Sequence, residues 1–232
     1  GFPSQWIELN KMKNRKNCIF IEDNAHSLYS SLNNKDLGTF GDISFNSFRK
    51  LLPLLSGSQL RSNSKNIVFK RNLESRFPNI DEIRYSLRQM KNFFPKISSK
   101  KSLPHPPMYI PPKPIDNFSK RVLDSYIFDK EKIKRLRHKN YKFWHEYLKD
   151  SDLIFFTKHL LHKDICPYVF PCYTNSRDII TKWIHWGASN NINIISWPKY
   201  HTSTVPFLKD DFKQGILCFP VNHQFDLTRI IG

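Results

Sequence analysis

Nowhere in this chain do apolar residues run on for the roughly 20 positions that a bilayer-crossing helix needs, so no segment reads as a membrane-spanning helix. Acids are scarce: 20 Asp and Glu face 37 Lys and Arg, which leaves a formal net charge of +17. Cysteines are few. Cys18, Cys166, Cys172 and Cys218 have no close paired spacing, so no zinc site is read from them, and reduced thiols in a cytoplasmic protein are the simplest account. His185, His201 and His223 are scattered without a second-ligand spacing, a poor basis for a metal centre. There is no internal repeat.

What is present argues for a folded protein. Apolar residues make up 39% of the chain, 19 of them Phe, which is outside the composition of disordered segments. At 232 residues the chain is long enough for a real core, or for two modest ones. Basic clusters at 96–101 and 130–142 raise a nucleic-acid reading, since such a surface binds phosphates with a strong salt dependence. No nucleic-acid motif accompanies them. Heavy use of Lys, Asn, Ile and Phe equally fits an AT-rich genome, and a basic field can help attract an anionic substrate.

The chemistry-bearing residues gather near the start. Cys18-Ile19-Phe20-Ile21 is a short apolar run, suited to a parallel strand covered on both faces. Asp23 follows where ligands bind at the carboxyl ends of open α/β sheets, and His26 is three residues on. Ile43 to Phe48 reads as a second strand leading towards Lys50, with Ser47 three residues before it. A lysine that forms a Schiff base, an acid that keeps a pyridine nitrogen protonated and a hydroxyl that holds a phosphate are the equipment for pyridoxal 5'-phosphate, PLP. Each has a bland alternative when taken alone: a solvated lysine, a strand-end turn acid, a structural histidine.

The order Ile21-Glu22-Asp23-Asn24-Ala25-His26-Ser27, Gly38-Thr39-Phe40-Gly41-Asp42-Ile43 and Ser44-Phe45-Asn46-Ser47-Phe48-Arg49-Lys50 resembles the DegT/DnrJ/StrS family of PLP-dependent aminotransferases, of the fold type I class. Arg49 to Gly57 resembles a branch that reads R-K-x-x-P-x-x-[DS]-G. Arg135 to Tyr141, Trp197-Pro198 and Cys218 to Gln224 are similar to later family elements. The resemblance implies that Lys50 is the Schiff-base lysine and catalytic acid/base, that Asp23 faces the pyridinium nitrogen, that His26 lies near the phenolic oxygen and that Ser47 binds the phosphate. It makes Tyr200 and His201 candidate substrate contacts. It further implies a small-molecule amino donor, glutamate or glutamine, a keto acceptor, most often a nucleotide-linked keto-sugar, and a homodimer.

The expected fold class is α/β: part of a fold type I large domain with a mainly parallel sheet, followed by a small α+β domain. Residues 1–95 are assigned to the large domain, 96–118 to a Pro-rich crossing and 119–232 to the small domain. Because Gly1-Phe2-Pro3 resembles an internal G-x-P of the family and no initiator methionine is present, the chain is expected to be the C-terminal portion of such an enzyme. Within it, strands are expected at 67–69, 168–171, 192–197 and 215–220. A helix is expected over 129–148, its basic residues mostly solvated, and another follows an N-cap at Ser176 and ends at Gly187. Two alternatives stay open, a non-catalytic remnant and a basic nucleic-acid-binding module.

Overall fold

A computed structural model of the chain describes residues 2, 3, 9, 11, 18–69, 74–84, 113–155, 161–174, 176–197 and 215–231. Strand β1 (Ile21–Asn24) leads into a two-stranded hairpin, β2 (Ser31–Leu32) and β3 (Lys35–Asp36), whose turn residues Asn33 and Asn34 both take positive φ. Asparagine tolerates that conformation, which suits the twist of a tight hairpin. The chain then returns through β4 (Ile43–Ser47), a 3-10 turn at Phe48–Lys50 and β5 (Ser58–Ser62). The strand order is β1-β4-β5, with β1 parallel and β5 antiparallel to β4.

Helix α1 (Asn117–Ser125) and the 18-residue α2 (Lys130–Tyr147) follow, capped by Asp116 and Asp129. Each cap carboxylate accepts a hydrogen bond from the backbone N–H three residues on, which satisfies a helix-end donor. Strands β6 (Ile154–Phe155), β7 (Val169–Thr174), β8 (Ile195–Ser196) and β9 (Gly215–Pro220) form an antiparallel sheet in the order β6-β7-β9-β8. Helix α3 (Arg177–Ser189) and the short α4 (Leu227–Ile230) flank it. The sheet and α2 enclose an apolar core centred on Trp144, Leu148, Phe170, Leu217 and Phe219. The Trp144 indole is fully buried and donates to the Pro220 carbonyl at 2.7 Å.

A second cluster joins the early and late parts of the chain. Leu51, Leu52 and Leu54 pack with Ile133 of α2 and with Cys166. Beside it the Ser30 hydroxyl accepts from the Cys166 N–H at 2.8 Å, and the Ser31 N–H donates to the Asp164 carbonyl at 2.8 Å. The turn that carries the lysine is therefore packed against the C-terminal part of the chain.

Several expectations are corrected. The first strand runs over 21–24 rather than 18–21, and Ile21 is 62% exposed instead of covered on both faces. Residues 67–69 form no strand, and Val68 and Phe69 are exposed, while β5, at 58–62, was not expected. On α2 the basic residues are mostly solvated, as expected, the buried ones being Lys134 and Arg137. The last turn of α3 runs past Gly187 to Ser189, and β8 keeps only two of the six residues expected to form a strand at 192–197. The strand at 215–220 has the expected bounds. The Pro-rich crossing lies outside the described residues apart from Lys113 and Pro114 onward.

Candidate active site

Strand alternation sorts the site. Successive side chains of a strand point to opposite faces, and register partners share one. On β1, Glu22 and Asn24 are buried while Ile21 and Asp23 are exposed. Ile21 pairs with Ile43, Asp23 with Phe45, Phe45 with Leu60, and Ser47 with Ser58. One face of the sheet thus carries an apolar floor of Ile21, Ile43, Phe45 and Leu60, with the carboxylate of Asp23 and the hydroxyl of Ser47 set into it. Leu60 is 56% exposed, so this floor is open. One Asp23 oxygen accepts from the Ala25 N–H at 2.9 Å, which fixes the carboxylate at the strand end. Asp23 is the third residue of the strand rather than just past it.

Ser47 occupies the N-cap position of the 3-10 turn, where its side chain makes no capping hydrogen bond. That turn delivers Lys50. The Lys50 Nζ lies 2.9 Å from His26 Nε2. Burial depresses the lysine's pKa, opposed by the Asp23 carboxylate, with Arg49 lowering it further. His26 is pushed down to about 4 by burial and then by the Lys50 charge, against a smaller raising effect from Asp23. The imidazole is therefore neutral at pH 7. A lysine ammonium has donors only, so Nζ donates and Nε2 accepts. The His26 ring sits 4.6 Å from that of Tyr168 and 5.5 Å edge-on from that of Trp197. Both aromatic residues come from the C-terminal part of the chain. Arg137, buried on α2, donates to the Pro167 and Tyr168 carbonyls at 2.8 and 3.2 Å and so anchors the segment that presents Tyr168.

Of the residues singled out in the sequence, Lys50 and His26 are in contact, and Asp23 and Ser47 share the adjoining sheet face. Tyr200 and His201 lie outside the described residues. Three supports were not foreseen. Glu22, 1% exposed, accepts from the N–H groups of Gly38, Phe40 and Gly41 at 2.6, 2.9 and 3.1 Å. Asn63 Nδ2 donates to the carbonyls of Gly38 and Gly41 at 2.7 and 2.9 Å. The loop that feeds β4 is thus clamped from both sides. A Cβ at Gly41 would meet the Phe20 and Ile43 carbonyl oxygens at 2.9 Å, which is why no side chain stands there. Behind the lysine, the Ser119 hydroxyl accepts from the Leu55 and Ser56 N–H groups at 3.0 and 3.2 Å, and the Ser56 hydroxyl donates to Asp116. Tyr168 carried no motif signal, and Trp197 was singled out only as part of the Trp197-Pro198 element; the return of the chain places both beside His26. Among the described residues no group of three or more His, Cys, Asp or Glu is gathered as for a metal ion.

Solved aminotransferase structures share this fold over nearly the whole chain. A DegT DnrJ EryC1 StrS aminotransferase from Brucella abortus is 15% identical with a TM-score of 0.63, over 99% of this chain and 59% of that one. PseC of Helicobacter pylori, an aminotransferase involved in the biosynthesis of pseudoaminic acid, is 16% identical with a TM-score of 0.64, over 98% and 61%. Spr1654 of Streptococcus pneumoniae, assigned as a sugar aminotransferase, matches in its PLP form at 13% identity and a TM-score of 0.60, over 99% and 63%; it is also solved in a PMP form. The chain thus spans about three-fifths of the length of these structures. No curated protein sequence matches it. Residues 1–58 match the model of the DegT/DnrJ/EryC1/StrS aminotransferase family.

Proposed function

We propose that the chain is the lysine-bearing part of a PLP-dependent aminotransferase. It would take an amino group from glutamate or glutamine and pass it to a keto-sugar, most simply a nucleotide-linked one. The observation that carries this reading is the lysine amine whose pKa is lowered, in contact with a neutral imidazole, beside an apolar sheet face holding one carboxylate. These residues fit the cofactor. The floor of Ile21, Ile43, Phe45 and Leu60 suits a flat aromatic ring, Asp23 suits a ring cation and Ser47 an anionic tail. When bound, PLP supplies an electron sink for the carbon that carries the amine.

The chain's own groups account for the rest. Depression of the Lys50 pKa raises the share of free amine at neutral pH, which is the form that attacks a carbonyl and accepts a proton. His26 Nε2 holds Lys50 Nζ by a hydrogen bond and adds no second positive charge, because the ring stays neutral. Tyr168 and Trp197 fix that ring and shield it from water. Residues 1–95 then serve as part of the cofactor-binding domain and 119–232 as the small domain. A cytoplasmic homodimer, with Tyr200 and His201 near the substrate, completes the proposal. The remnant reading is disfavoured because Asp23, His26, Ser47 and Lys50 are all retained.

The test is an absorbance scan with PLP, borohydride reduction and peptide mass mapping. The expected result is a visible band and a pyridoxyl mass on Lys50, both lost in Lys50→Ala. Labelling spread over surface lysines and unchanged in Lys50→Ala would overturn the assignment.

A further inference from the structure

A second concave site lies along the solvent side of α2, and none of its lining residues belongs to the Lys50–His26 site. A cavity of about 510 Å³ is lined by Lys134, Arg135, His138, Lys139, Lys142 and Lys163, with Glu131 as the one acid. The helical residues recur at three- and four-residue intervals, so they project from one face. Lys163 comes from the turn before Cys166 and closes the opposite side. Two of the cations are partly neutralised, Lys134 by Glu131 at 3.5 Å and Lys139 by Asp226 at 2.9 Å. Arg135, Lys142 and Lys163 have no ion pair among the described residues, and all three are exposed. Lys134 is buried with that single carboxylate partner, so its ammonium lacks most of the water that would otherwise solvate it.

We propose that this cavity binds a compact polyphosphate group, the diphosphate or triphosphate moiety of a small ligand. Its volume falls in the range of small-molecule sites, and positive charge focused in a concavity raises the local concentration of anions. Guanidinium and ammonium groups that converge from two walls match vicinal phosphates, Arg135 by a bidentate fork and the lysines as point charges. A nucleic-acid strand fits less well. His138 is the one aromatic ring in the lining, with its Nε2 held against the Ile165 carbonyl at 2.6 Å, so the cavity offers no succession of stacking platforms such as single strands use. The bundle of cations is compact rather than drawn out along a backbone.

Isothermal titration of the full chain with inorganic pyrophosphate, at low and then physiological salt, tests the proposal independently of the cofactor reading. Saturable one-site binding is expected, tighter than for orthophosphate, and about tenfold weaker in an Arg135→Ala/Lys142→Ala/Lys163→Ala variant. Ser47→Ala is expected to leave it unchanged. Loss in Ser47→Ala with retention in the triple variant would place pyrophosphate at the first site and overturn the proposal. Absence of saturable binding, or tighter binding of a DNA duplex with the same variant dependence, would overturn it as well. Circular dichroism of the triple variant confirms that its fold is kept, since all three side chains are exposed.

Discussion

Burial works against protonation at two histidines, His26 and His223. His26 and His223 are each lowered to about 4, in both cases by burial first and then by a neighbouring cation, Lys50 for the one and Arg137 for the other. In the unfolded chain both take up a proton near pH 6.5, so the unfolded state binds more protons between those values. Stability from these groups is therefore fully present above pH 6.5 and falls as pH drops towards 4. The expected result is a urea midpoint that declines from pH 6.5 to 5, with the decline reduced in a His26→Gln/His223→Gln variant. Imidazole resonances that titrate near 6.5 in the folded protein would contradict it. His26 was legible from its place in the motif. The neutral state of its ring was not, because Tyr168 and Trp197 stand more than 140 residues away in sequence.

Among the elements, β1 shows how a strand divides labour between adjacent acids. Glu22 turns inward and ties down the loop before β4, while Asp23 turns towards the open face. The two differ only in the alternation of the strand, which is invisible until its register is known. Truncation by Glu22→Ala would leave three backbone donors without their carboxylate, at a cost of roughly 2–3 kcal/mol. The readouts are the urea midpoint and faster amide exchange at Gly38, Phe40 and Gly41. Asp23→Ala, exposed and bonded only locally, is expected to change stability by less than about 0.5 kcal/mol. Equal losses in the two variants would contradict the division. Helix α2 makes the same point: its apolar period forecast a helix, whereas burial of Arg137 arises because the Pro167 and Tyr168 carbonyls need donors.

For the molecule as a whole, the aromatic core of α2 against β7 and β9 carries the later half of the chain. Trp144 contacts Phe143, Tyr147, Trp186 and Phe219 and also satisfies the Pro220 carbonyl. Trp144→Ala is expected to cost roughly 3–5 kcal/mol, measured by denaturant unfolding. A loss below about 1 kcal/mol would mean that the sheet does not depend on this packing. The same helix turns its basic face to solvent, so one element anchors the core inside and forms the cationic cavity outside.

The sequence by itself determined the elements with strong local signals: the helix expected over 129–148 and found at 130–147, and the strand at 215–220. These rest on residue identity and short-range periodicity, which the chain carries everywhere along its length. Only the tertiary structure decided which face of β1 is buried, that β5 pairs with β4, and that Tyr168 and Trp197 close on His26. Each of those depends on contacts between residues distant in the chain, and such contacts follow from packing and register rather than from local preference.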